Sequence, residues 1–162
     1  MALRTIRTEG DPVLTKQCRT IDKMTARLRT LAEDMLDTMY EANGVGLAAP
    51  QVGVLKKMVV IDVGEGPLIL VNPEIVESDG EQTGDEGCLS VPGMAGQVTR
   101  PNHVIVKALD IDLNPIQIEG EELLARALCH EIDHLSGKLY TSLVEGELHP
   151  VTYEEEEEEA NE

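Results

Sequence analysis

The 162-residue chain contains no tryptophan and no phenylalanine, and only three tyrosines. Its core must therefore be built from Leu, Val, Ile and Met. Positive charge is scarce: 13 Lys and Arg stand against 31 Asp and Glu, for a net charge of -18. A surface this acidic repels phosphate backbones, which argues against direct nucleic-acid binding. Only three cysteines are present. With no long apolar stretch following Met1-Ala2-Leu3-Arg4, and so no expected signal peptide, they argue against a disulfide framework and for a reducing, cytoplasmic setting. No apolar run is long enough to span a bilayer, so no membrane role is expected. Internal repeats and linkers are missing too. The length suits one domain, expected over residues 1–149, with an acidic tail over 150–162 in which Glu154 to Glu159 form a solvated run. A monomer is the expected state.

What is present reads as a first helix, a run of strands and a last helix. Leu28, Leu31, Ala32, Met35, Leu36 and Met39 recur at three- and four-residue steps, which predicts a helix from about Met24 to Ala42 that Asn43-Gly44 ends. Arg4 to Gly10 reads as a short strand or an arm, and Pro12 as the opening of a short helical turn. Strands are expected over Lys57 to Val63, Leu68 to Val76, His103 to Leu109 and Ile116 to Glu119. Gly64 to Pro67 and the stretch around Gly80 are expected to turn, and Asn72-Pro73 to mark a bulge. Gly120-Glu121-Glu122 opens a last helix, which Gly137 ends.

That last helix carries His130-Glu131-Ile132-Asp133-His134, an H-E-x-x-H. Residues four apart share a helix face, so His130 and His134 can offer two imidazole nitrogens to one ion. Glu131 lies about 100° round the helix, where it can flank the ion without ligating it. Two ligands and a general base are what metal-assisted hydrolysis requires. A charged helix face with two structural histidines is the alternative. A catalytic site of this kind wants a third ligand and an open position. Cys88, in Asp85 to Pro92, is either a small buried hydrophobe or that ligand; downstream, only Glu145 and Glu147 compete. Gln51, in the small-residue stretch Gly44 to Gly53, is either an ordinary turn residue or an amide donor to a developing oxyanion. Cys18 reads as a small, passive thiol in a loop, Cys129 as packing, and His103 and His149 as unrelated to the site. A zinc endopeptidase would share H-E-x-x-H but needs its third ligand downstream. A structural metal site would need neither Glu131 nor Gln51.

Three stretches, Gly44-Val45-Gly46-Leu47-Ala48-Ala49-Pro50-Gln51, Glu86-Gly87-Cys88-Leu89-Ser90 and His130 to His134, resemble in order the three motifs of peptide deformylase, in the form of its bacterial type 1 group. The resemblance covers roughly residues 5–145. It implies an α+β fold: small antiparallel sheets packed around a central metal-binding helix, with the long first helix outside. It implies a hydrolase that takes the formyl group from N-formyl-methionyl nascent peptides and releases formate. One divalent ion is implied, ferrous iron in the cell, with zinc, nickel or cobalt as alternatives in purified protein. Cys88, His130 and His134 match the metal ligands, Glu131 the general acid/base, and Gln51 with the backbone N–H of Leu89 the oxyanion donors. Val45, Gly46, Gly87, Leu123 and Arg126 match substrate-binding positions. Glu86 and Arg100 resemble a supporting ion pair. The chain departs from the pattern at Cys129, where many members carry Gln, and at Arg126, where some carry an apolar pocket residue.

Overall fold

The hydroxyl of Thr25 accepts from the Leu28 N–H and starts α1 (Ala26–Glu41), the usual way for a threonine to satisfy a free helical donor. Asn43, at φ 58°, and the Gly44 N–H on the Met39 carbonyl end it. Helix and stop match the expectation within two residues, because spacing and cap chemistry are local. The computed structural model describes residues 2–151.

A five-stranded antiparallel sheet forms the body, in the order β1 (Gly46–Ala48), β2 (Met58–Ile61), β3 (Leu68–Asp79), β6 (His103–Leu109), β7 (Pro115–Glu121). A second sheet of three strands has the order β4 (Gln82–Cys88), β5 (Val91–Arg100), β8 (Glu145–Pro150). Alternation along β2 divides the core. Met58 and Val60 face α1 with Leu31, Met35 and Met39, whereas Val59 and Ile61 face α2 (Glu122–Leu135) with Ala125, Leu128 and Leu135. Successive strand residues point to opposite faces, so one strand serves both layers. Val91, Val98 and Tyr140 pack the small sheet. On that side α2 meets the Val98 carbonyl through Arg126 and Tyr140 through His130, and nine of its residues are buried. The expected α+β arrangement around a central helix, with α1 on the outer layer, is the one observed.

Several local expectations need correction. Glu77 to Asp79 extend β3, and the turn narrows to Gly80 at φ 69°. Asp85 to Cys88 belong to β4, which ends at Cys88 and pairs with β5 along its whole length. Neither β4, which is polar and holds two glycines, nor β8 carries an apolar alternation; their partners impose the extended form. Arg4 to Gly10 form an arm rather than a strand. It is held where the Arg7 N–H meets the Gln51 carbonyl and the Glu9 N–H meets the Ser90 carbonyl, both at 2.7 Å. The register shift at Asn72, φ 50°, bears out the bulge. Pro150, expected as the first residue of the tail, pairs with Met94 as the last of β8; Glu154 to Glu159 lie outside the described residues. Among the described residues no helix is long and apolar enough to cross a membrane.

Candidate metal centre

His130 and His134 project one turn apart from α2, and their Nε2 atoms stand 3.3 Å from each other. The third arm comes from the small sheet. At the β4–β5 corner a register shift between Gly87 and Cys88 turns the Cys88 sulfur towards the helix, and Sγ lies 3.4 Å from His134 Nε2. The three donor atoms all fall within 4.8 Å of one another. The sulfur also receives the Ser90 N–H at 3.4 Å and the Gln51 amide at 3.5 Å.

His130 is oriented from behind, by Glu86. Glu86 is an ionised acceptor, its carboxyl brought down to about 2: burial opposes the charge, but hydrogen bonds from His130 and Arg100 outweigh it. His130 must therefore place its proton on Nδ1, which meets Glu86 Oε2 at 2.7 Å, and turn the Nε2 lone pair towards Cys88 and His134. Arg100 grips both Glu86 oxygens, at 3.0 and 2.7 Å, and also meets Asp133 at 2.7 Å. Burial holds His134 neutral, its value lowered to about 3. At His130 burial works against the charge, but Glu131 and the contacts with Cys88 and Glu86 outweigh it and pull the value up. A proton and a cation thus compete for that nitrogen.

Among the described residues, two buried polar atoms, Glu131 Oε1 and His134 Nδ1, lack a hydrogen-bond partner. Two ring nitrogens and a sulfur converging with so few protons to share are a poor set by themselves and a good one for a divalent cation. The residues present therefore fit one ion with three protein ligands. Glu131 stands beside this cluster, 4 % exposed, and burial pushes its carboxyl up to about 7. That suits a group that takes and returns a proton near neutral pH.

Gln51 sits in the 3-10 turn Ala49–Val52 that follows β1. Its Oε1 accepts from the Ala48 N–H at 2.9 Å, which fixes the amide orientation. Its Nε2 donates to Ser90 Oγ at 3.0 Å and to Cys88. Leu89 occupies the corner between β4 and β5, next to Cys88. A cavity of about 700 Å³ opens in front of these groups, and Val45, Gly46, Gly87, Leu89, Leu123 and Arg126 are among the residues lining it. Val45 and Leu123 are 43 % and 50 % exposed, at its mouth. Arg126 contributes to the wall, but its guanidinium turns away, to Glu86 Oε1 at 2.9 Å and the Val98 carbonyl at 3.1 Å. Gly46 packs on Glu131 rather than merely lining the wall: a Cβ there would lie 2.4 Å from Glu131 Oε2. The Glu86–Arg100 pair falls where the sequence suggested. Asp133, inside the H-E-x-x-H, and Ser90, inside the middle motif, are further partners that spacing alone does not reveal; Ser90 is fully buried, and its place in that motif is its one signal in the sequence. Cys129 is buried in the core, as expected; Cys18, in its loop, is buried against the same core, and burial pushes both thiols up to about 11.

Residues 3–147 match the family model for polypeptide deformylase. The peptide deformylase of Agathobacter rectalis is 69 % identical over 158 residues, which cover 98 % of this chain and 100 % of that one. This chain belongs to the polypeptide deformylase family. Deformylases also share its fold: the crystal structure from Legionella pneumophila superposes with a TM-score of 0.86 at 47 % identity, covering 88 % of this chain and 86 % of that one. The Thermotoga maritima structure gives 0.87 at 39 %, covering 89 % and 99 %. This deformylase is an enzyme, a metal-dependent hydrolase that takes the N-formyl group from newly made peptides.

Proposed function

We propose that Cys88, His130 and His134 hold the single divalent ion of this deformylase and that Glu131 moves the proton. The convergence of three donor atoms within 4.8 Å, beside a buried carboxyl at about 7 and at the inner end of the cavity, carries this assignment. An ion bound there supplies Lewis acidity, which eases both the deprotonation of a water and attack on a carbonyl. Glu131 takes the proton of the attacking water as the new C–O bond forms at the formyl carbon. Charge gathers on the formyl oxygen, and the Gln51 amide with the Leu89 backbone N–H receive it. To donate, Gln51 exchanges its contact with Ser90 or Cys88 for that oxygen. Glu131 then returns the proton to the amide nitrogen as the C–N bond breaks, leaving formate and a free N-terminus.

Val45 and Leu123 receive the methionine side chain at the cavity mouth, with Gly46 and Gly87 along its wall. Ferrous iron is the working ion we assign in the cell; zinc, nickel and cobalt suit the same thiolate and imidazoles in purified protein. The natural substrates are N-formyl-methionyl nascent chains, met by a monomer in the cytoplasm. The test is formate release from a formyl-Met peptide beside internal cleavage of casein. We expect the first and not the second; casein cleavage without formate would overturn the proposal.

A further inference from the structure

Arg126 lines the cavity, but its head group does not face it. It lies four residues before His130 on α2, on the same helix face. Its side chain is 10 % exposed, and its Nη1 and Nη2 reach Glu86 Oε1 and the Val98 carbonyl of β5. With this contact the Glu86 carboxylate is filled. Oε1 accepts from Arg100 Nε and Arg126 Nη1; Oε2 accepts from Arg100 Nη2 and His130 Nδ1. Two carboxylate oxygens offer about four lone-pair directions, and here each meets an N–H. Arg100 divides its charge between Glu86 and Asp133. Arg126 is thus the second cation on Glu86 and engages no other carboxylate among the described residues.

We infer that Arg126 is a positioning residue: it locks the rotation of Glu86, and through Glu86 the ring of His130, so that Nε2 faces Cys88 and His134. This deepens the proposed site and rests on the assignment of His130 as a ligand. Without Arg126 the Glu86 carboxylate keeps only the Arg100 fork behind it, and the Val98 carbonyl loses its donor. The carboxylate is then free to pivot about that fork, and the His130 ring turns with it. Partners that orient a ligating imidazole typically change metal affinity 10–100-fold when removed. A residue of the substrate pocket would instead change KM.

The experiment compares the wild type with Arg126→Met, which keeps the stem on the cavity wall, Arg126→Lys, Glu86→Gln and the double variant Glu86→Gln/Arg126→Met. Cobalt(II) dissociation is measured by competition with a chelating dye, and KM and kcat with a saturating supply of the ion. Arg126→Met should weaken cobalt binding by about 10–100-fold and leave KM within about twofold. Arg126→Lys should recover part of the loss, since an ammonium keeps the charge but cannot fork to two acceptors. On the Glu86→Gln background the Arg126→Met effect should fall to about twofold or less, because Arg126 acts through Glu86. Unchanged cobalt affinity in both Arg126 variants, an undiminished effect without Glu86, or a change confined to KM would each overturn the inference. If the wild type binds cobalt but releases no formate, the catalytic proposal fails, while Arg126 is still judged on the dissociation constants. If the wild type binds no cobalt, both fall.

Discussion

Gly46 is the position where one added methyl group should do the most damage to catalysis without touching a ligand. It lies in β1, buried, opposite Ile61. A Cβ built on it would sit 2.4 Å from Glu131 Oε2, 2.8 Å from Cδ and 2.9 Å from Cγ. Ordinary carbon–oxygen contact begins about 1 Å further out, so the carboxyl and part of its stem must shift by about that distance. Glu131 is itself buried, and it cannot swing into water to relieve the clash. A misplacement of about 1 Å costs on the order of 10²-fold in rate, or about 2.7 kcal/mol of transition-state stabilisation. Gly46→Ala should therefore keep its metal and lose about two decades of kcat for formate release. Gly44→Ala is the control. Its Cβ would meet Leu89 Cδ1 at 2.7 Å, the far end of a side chain that can give way, so its loss should be several-fold smaller. Gly46→Ala with kcat within about threefold of wild type, at equal metal content, would refute the claim that this contact sets the place of the base.

Gln51→Ala should lower kcat by about 10²-fold while KM moves little, because an oxyanion donor acts mainly in the transition state; kinetics on formyl-Met peptide check this, and a pure KM effect would make Gln51 a binding residue. After metal removal at mildly alkaline pH, iodoacetamide should modify Cys88 well before Cys18 or Cys129, whose buried thiols are raised to about 11; peptide mapping decides. The Glu119 hydrogen bond, with help from Asp79, raises His103 above its ordinary 6.5. A raised folded value means that its small contribution to stability is full below about 6.5 and fades as pH climbs through the folded value. The Tm difference between wild type and His103→Gln should accordingly shrink from about pH 6 to about pH 9, and a difference that grows would show the pairing misread.

Much of the scaffold was legible because its signals are local. The spacing of Leu31, Met35 and Met39, the stop at Asn43-Gly44 and the alternation of β6 need no tertiary knowledge. The H-E-x-x-H spacing announces two ligands and a base for the same reason. Cys88, whose sulfur lies with the two imidazoles, was a candidate only through the need for a third donor and then through the resemblance of the middle motif. The small sheet was not legible, since Gln82 to Cys88 and Glu145 to Pro150 lack an apolar alternation and are extended because of what they pair with. Nor were the contacts that tune the site. Gly46 against Glu131 and Arg126 against Glu86 join residues 85 and 40 positions apart, and their geometry follows only from how β1 and β4 lie on α2. Glu86 with Arg100 was guessed through the resemblance; its links to Arg126 and His130 were not.

The most direct test of the account separates holding the ion from using it. Glu131→Gln keeps the size of the side chain and, since Glu131 is not assigned as a ligand, should leave the Cys88, His130 and His134 donors intact. Metal per chain and formate release from formyl-Met peptide are measured on the same preparation. One divalent ion per chain, as in wild type, and a rate lower by at least about two decades are expected. Normal turnover, or loss of the ion together with the rate, would contradict this.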